Sequence, residues 1–206
     1  MINILTRSFM KAAIKLSQYL LVFFSGLLVS CSTPHSSTNS VRGNGVALFY
    51  ALAYMQPMQE NRISNVTGTV GFTEGFGQVK IHVNINGLDK NAKHAIHIHE
   101  FGDCSGFDAA HAGEDFNPTN SVHGSPFNDE PHHAGDLGNL IADKKGRAEA
   151  NFEIKGISIN GSLNPIIGRS VIIHSYEDDF ISQPMGAAGP IISCGIIGAV
   201  GNLKNH

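Results

Sequence analysis

The run HIHEFGDC at 97–104 sets two histidines two positions apart, followed by an acid, a glycine and a cysteine. Residues two apart in a strand project from the same face about 6.6 Å apart, so His97 and His99 can converge on one ion. Farther along, SVIIHSYEDD places His174 within another apolar run. Between them, the stretch 102–136 holds His111, Glu114, Asp115, His123, His132, His133 and Asp136, a dense set of metal-capable groups. Three imidazoles form a nitrogen-rich site of the kind copper takes, and a mixed His/Asp set suits tetrahedral zinc. Copper offers a one-electron couple, whereas zinc contributes charge and geometry. The chemistry in view is redox at the first set and structural support at the second.

Strands must position these groups. VKIHVNI (79–85) alternates apolar and polar residues with the period of a strand. VALFYALAYM (46–55), VTGTVGF (66–72), QVKIHVNI (78–85), AIHIHEF (95–101), EANFEIKGISI (149–159) and SVIIHSY (170–176) are all expected to be strands. Gly, Asn and Asp turn signals separate them, and this spacing predicts an all-β sandwich or barrel. The intervening 102–136 is expected to be a long irregular loop, a length that points to function. Roughly 160 residues from position 46 onward are enough for one domain with a single core. With 14 basic and 17 acidic residues and a net charge of −3, the chain carries no basic stripe or aromatic platform. Nucleic acid is therefore excluded as a partner.

The N-terminal stretch belongs to export. Residues 1–18 carry Arg7, Lys11 and Lys15 without an acid, and YLLVFFSGLLV (19–29) is apolar but short for a membrane span. Both features fit a secretory signal. The run closes on Leu28-Val29-Ser30-Cys31, which resembles a bacterial lipobox. The expected organisation is a signal peptide over 1–30, lipidation at Cys31, a flexible tether over 31–45 and a folded domain over 46–206. It implies an exported, periplasmic lipoprotein, anchored to a membrane of the bacterial cell envelope. Setting Cys31 aside leaves Cys104 and Cys194, a pair that an oxidising compartment allows to join.

HIHEFGD, DFNP, VHGSP, HAGDLGN, IIGRSVIIH and the Gly-rich approach to Cys194-Gly195 resemble the copper/zinc superoxide dismutase family in order and approximate spacing. The resemblance runs from about residue 44 to about residue 200. It implies an eight-stranded antiparallel Greek-key sandwich or barrel with long metal-binding loops, often dimeric. It also implies disproportionation of superoxide to dioxygen and hydrogen peroxide with copper and zinc ions as cofactors. Carried over, His97, His99 and His174 match the catalytic copper ligands, and His123, His133 and Asp136 match zinc ligands. Within the pair His132-His133, the family's His-x-x-Asp spacing selects His133 and leaves His132 exposed. Asp178 matches the acid that hydrogen-bonds ligands of both metals. Cys104 and Cys194 match the intrasubunit disulfide.

Two positions depart from the family pattern. Asp115 stands where the family has the histidine that bridges both metals, and it is expected to bind zinc or to bridge, zinc ligation being favoured; His111 is a more remote alternative. Ile191 stands where the family has the anion-guiding arginine, and no Lys or Arg occurs between His174 and Cys194. Glu177, Asp178 and Asp179 leave that stretch acidic. Two functions follow: a copper-dependent dismutase of reduced rate, or a non-enzymatic copper- and zinc-binding lipoprotein on the same scaffold.

Overall fold

The computed structural model describes residues 41–43, 46–58 and 64–201. The expected signal peptide (1–30) and lipidation site Cys31 lie outside them. Nine strands form among the described residues: β1 (Val41–Gly43), β2 (Val46–Pro57), β3 (Thr67–Gly75), β4 (Gln78–Asn86), β5 (Lys93–His99), β6 (Asp136–Ile141), β7 (Arg147–Ile154), β8 (Ser170–His174) and β9 (Ile191–Ala199). A short 3-10 helix, Phe107–Ala112, interrupts the long loop.

All pairings are antiparallel, and the strand order is β6-β5-β8-β9-β2-β3-β4-β7. The end strands β6 and β7 approach each other, so the sheet curls into a nearly closed barrel. Connections 87–92 and 155–169 cross between β4 and β5 and between β7 and β8, which gives the Greek-key path. Strand β1 pairs only with β2, in the register Gly43 opposite Val46. The sheet thus begins inside the 31–45 stretch expected to be a tether.

The alternation in β4 is carried through: Val79, Ile81, Val83 and Ile85 are buried, while Lys80, His82 and Asn84 are exposed. Besides β1, two further strands escaped the sequence reading. Asp136–Ile141 contains Gly138 in the left-handed region (φ 91°), and Ile191–Ala199 carries two glycines and a cysteine. Neither shows the clean alternation that marks β4. The expected strand 149–159 stops at Ile154, just before Gly156, also at positive φ (81°).

The core fills the barrel interior with Met55, Phe72, Ile81, Ile98, Leu140 and Ile173 among its members. In β5, Ile96 and Ile98 are both fully buried in it. Burying such a side chain contributes about 1.5–3 kcal/mol. Two such anchors fix the strand's rotation, and with it the face that His97 and His99 present.

Candidate metal centre

Strands β5 and β8 pair with Ile96 opposite Ile173 and His97 opposite Ile172. Ile96, Ile98, Val171 and Ile173 face the core, so alternation sends His97, His99 and His174 to the outer side. There the loops after β5 and β8 cover them, leaving the three imidazoles 0%, 2% and 1% exposed. The ring of each is aimed by one hydrogen bond. His99 Nδ1 donates to the Gly113 carbonyl (2.8 Å) and His174 Nδ1 to the Gly189 carbonyl (2.9 Å). His97 uses its other nitrogen, Nε2, toward Asp178 Oδ2 (3.2 Å). What remains is His97 Nδ1, His99 Nε2 and His174 Nε2, all buried without a hydrogen-bond partner and within 4.8 Å of one another. An unsatisfied buried polar atom costs about 1–3 kcal/mol, so three converging lone pairs fit a bound cation.

The second set lies on the loops. Asp136 opens β6, and its Oδ2 accepts from the backbone N–H of His133 (2.8 Å) and Gly124 (3.1 Å). Its Oδ1 is thereby left 3.0 Å from His123 Nδ1 and 3.4 Å from His133 Nδ1. Ligands held about 2.0–2.1 Å from a tetrahedral zinc ion stand about 3.3 Å apart, and these spacings fit that geometry. Gln183 clamps the His123 backbone from the opposite loop: Oε1 accepts from its N–H (2.9 Å) and Nε2 donates to its carbonyl (3.1 Å).

Asp178 joins the two sets from behind. Its Oδ2 accepts from His97 and its Oδ1 from His123 Nε2 (2.8 Å). Asn139 holds the Asp178 backbone in both directions, each bond 2.8 Å. Gly186 (φ 63°) makes this close packing possible. A Cβ there would stand 1.9 Å from Asp178 Oδ1 and 2.7 Å from His123 Nε2.

Asp115 occupies the front. Its Oδ1 lies 3.2 Å from His99 Nε2 and 3.4 Å from His97 Nδ1. Its Oδ2 lies 3.5 Å from His133 Nδ1 and 4.0 Å from His123 Nδ1. Each oxygen faces a different nitrogen set.

The family described as Copper/zinc superoxide dismutase (SODC) matches residues 66–197. The chain belongs to that family. Relatives named Superoxide dismutase [Cu-Zn] include one from Paramecium bursaria Chlorella virus 1, 42% identical over 139 residues, covering 65% of this chain and 73% of the relative. Another, from Talaromyces marneffei, is 39% identical over 143 residues, covering 66% and 91%. The Superoxide dismutase [Cu-Zn] 3 of Arabidopsis thaliana is 39% identical over 142 residues, covering 66% and 84%. The family implies copper and zinc, and both donor sets in this dismutase fold suit those ions.

The electrostatics of the two sets differ. Burial opposes charge on His174, and the neighbouring His97 adds to this, so its pKa is pushed down to about 3. Burial also opposes protonation of His123, but hydrogen bonds to Asp136 and Asp178 outweigh it and raise the ring to about 10. His133 is raised to about 9 against the same burial, by Asp115 and Asp136. Burial works to raise the carboxyls of Asp115, Asp136 and Asp178; their histidine partners overcome it and hold all three below the usual range. In this set the two imidazoles hold their protons and so face the carboxylates as cations.

The remaining expected residues fall as follows. Cys104 and Cys194 form a disulfide that closes a separation of 90 residues and ties the long loop to β9. Losing such a bond costs about 2–5 kcal/mol. His111 is exposed and meets Ser105 Oγ (3.0 Å), so it does not reach the centre. Glu114 is exposed too. His132 is half-buried rather than exposed, because its Nδ1 donates to the adjacent His133 carbonyl (2.7 Å). Ile191 packs beside the disulfide with Met58 and Ile172. The acids expected after His174 all find partners, but those of Asp179 are neutral and leave its charge in place. Glu177 pairs with Lys93 (2.8 Å), Asp178 is buried, and Asp179 accepts from Ser182 and Ile181. Gln183, Gly113, Gly186 and Gly189 carried no signal in the sequence, and Asn139 stood only as the last letter of HAGDLGN.

Proposed function

We propose that the domain disproportionates superoxide, turning two superoxide anions and two protons into one dioxygen and one hydrogen peroxide. The observation that carries this reading is the convergence of His97 Nδ1, His99 Nε2 and His174 Nε2, buried and unpartnered, on one point. Copper held there would supply a one-electron couple, reduced by one superoxide and reoxidised by a second. The protein's part is orientation. The Gly113 and Gly189 carbonyls and Asp178 fix which nitrogen of each ring faces inward. Zinc on His123, His133, Asp136 and Asp115 would neutralise the loop carboxylates and lock the loop against the barrel.

The rate is reduced. Ile191 puts an apolar side chain where the family guides its anionic substrate with an arginine, and electrostatic focusing is worth about 10–10³ in on-rate. The lipobox-like Leu28–Cys31 supports a location in the cell envelope, with the domain tethered through a lipid on Cys31. Two copies are proposed to pair through the exposed apolar side chains Tyr54 on β2, Ile196 on β9 and Phe101, which are 66%, 50% and 56% exposed. Ile196→Glu should then lower the sedimentation mass to that of a monomer. Cys31→Ser should release soluble protein or block processing, and unchanged membrane fractionation would remove the anchor.

The second reading, a non-enzymatic copper- and zinc-binding lipoprotein, draws on the same two departures at Asp115 and Ile191. Pulse radiolysis separates the two. The copper-loaded soluble domain should remove superoxide faster than an equal concentration of free or chelated copper. No catalysis above those controls would leave the metal-binding reading in its place.

A further inference from the structure

We infer that Asp115 bridges the two metals through its carboxylate, with Oδ1 serving the His97/His99 set and Oδ2 serving the His123/His133 set. The inference deepens the metal content proposed above and rests on it, but it does not depend on dismutase turnover.

Four observations converge. The two oxygens divide cleanly, Oδ1 lying 3.2 and 3.4 Å from His99 Nε2 and His97 Nδ1, and Oδ2 lying 3.5 Å from His133 Nδ1. Neither oxygen has a hydrogen-bond partner, although the residue is only 4% exposed. The nitrogens they face are unpartnered as well: His97 Nδ1, His99 Nε2 and His133 Nδ1. Finally, the backbone gives the side chain little room to swing. Asp115 sits in a β-bridge with His99, and the next residue donates its N–H to the Ile98 carbonyl (2.8 Å) and accepts from Gly135 N–H (2.9 Å).

A buried carboxylate with both oxygens unpaired costs several kcal/mol unless cations meet it. Binding zinc alone would satisfy Oδ2 and leave Oδ1 directed at two copper-set nitrogens. One ion on each side satisfies both oxygens and all three nitrogens at once. Asp178 also connects the sets, but only through the outward nitrogens His97 Nε2 and His123 Nε2. Asp115 is the direct ligand-to-ligand link, and it makes copper and zinc occupancy interdependent.

The test is Asp115→Asn in the full soluble domain, which keeps the side-chain shape and removes one anionic oxygen. Affinities for copper(II) and for zinc are read separately by chelator competition, and the copper(II) electron paramagnetic resonance spectrum is recorded with and without zinc. The bridge predicts a parent spectrum with three nitrogen couplings that changes when zinc is added. In Asp115→Asn both affinities fall by about tenfold or more, and the copper signal becomes indifferent to zinc. Asp115→His should add a fourth nitrogen coupling, which shows that position 115 reaches copper in a folded protein. Loss of zinc affinity alone with an unchanged copper spectrum would assign Asp115 to zinc and overturn the bridge. Loss of copper alone, no loss at all, or no fourth nitrogen would overturn it too. Coupled metals without superoxide decay would sink the dismutase reading and leave the bridge standing, whereas a domain that takes up no copper would overturn both.

Discussion

The donor set proposed for copper is built on strands and the set proposed for zinc on loops. His97, His99 and His174 come from β5 and β8, whose opposite faces are locked into the core by Ile96, Ile98, Val171 and Ile173. His123 and His133 come from the irregular stretch before β6 and rely on distant side chains such as Gln183 and Asp178. The chemistry follows the architecture. The strand set consists of imidazoles, and His174 among them is kept uncharged by burial, so its lone pairs stand ready at neutral pH. The loop set is ionic, with carboxylates matched by imidazoles that hold protons tightly. A rigid imidazole set suits an ion that must change oxidation state without moving its ligands. An ionic loop set suits an ion that stays put and neutralises charge.

The largest effect that can break this comparison is His174→Ala. It removes one of three strand nitrogens, so copper binding and superoxide decay should both fall to the free-copper baseline while zinc binding persists. Retained copper would mean that the strand set is not the copper site. Asp178→Asn should come next, because it loosens a ring in each half. Lost outer hydrogen bonds cost metal affinity about 10–100-fold. The cost should be greater for zinc, whose His123 lacks a strand to hold it. Equal losses, measured by competition titration, would argue against the strand–loop distinction.

Proton release sharpens the contrast. At pH 7, zinc binding should expel about two protons, from His123 and His133, and copper binding about none from His174. Calorimetry in buffers of different ionisation heat reads this directly, and equal release by both metals would contradict it. The metal-free domain should show the same division in its stability. His123 and His133, raised from 6.5 to about 10 and about 9, contribute stability that is complete below 6.5 and lost as pH rises through those values. His174, lowered from 6.5 to about 3, contributes stability present above 6.5 and lost as pH falls toward 3. Denaturant midpoints should therefore drop on both sides of neutrality, and zinc should remove the alkaline decline.

The smallest effect concerns the entrance. Ile191→Arg should raise the rate about tenfold at low salt and much less at high salt, since exposed charge is screened over about 10 Å at 0.1 M. A gain that ignores ionic strength would mean that the arginine acts by contact and not by attraction.

The strand half was the more legible in the sequence for the same reason that it is rigid. Alternation in AIHIH is a local pattern that fixes which residues share a face before any tertiary contact is known, and SVIIH stands out as a short apolar run ending in a histidine. β6 and β9 were missed because glycines interrupt their pattern and distant neighbours decide their pairing. In the loop half, residue types and the His-x-x-Asp spacing gave candidates, and the family resemblance sorted them. For Asp115 the sequence offered zinc ligation or a bridge and favoured the former, since its two-sided position depends on the β-bridge to His99 and on the path of 116–135. Gly186 and Gln183 could not be read, because they act from across the centre through contacts about 60 residues apart.

Superoxide decay by pulse radiolysis on four preparations of the domain, metal-free, zinc only, copper only and both metals, tests the central claim most directly. Catalysis should accompany copper and exceed the free-copper control, zinc alone should give none, and the double-loaded form should equal or exceed copper alone. A copper-loaded domain no faster than His174→Ala at the same total copper would contradict the claim that the strand histidines form the working site.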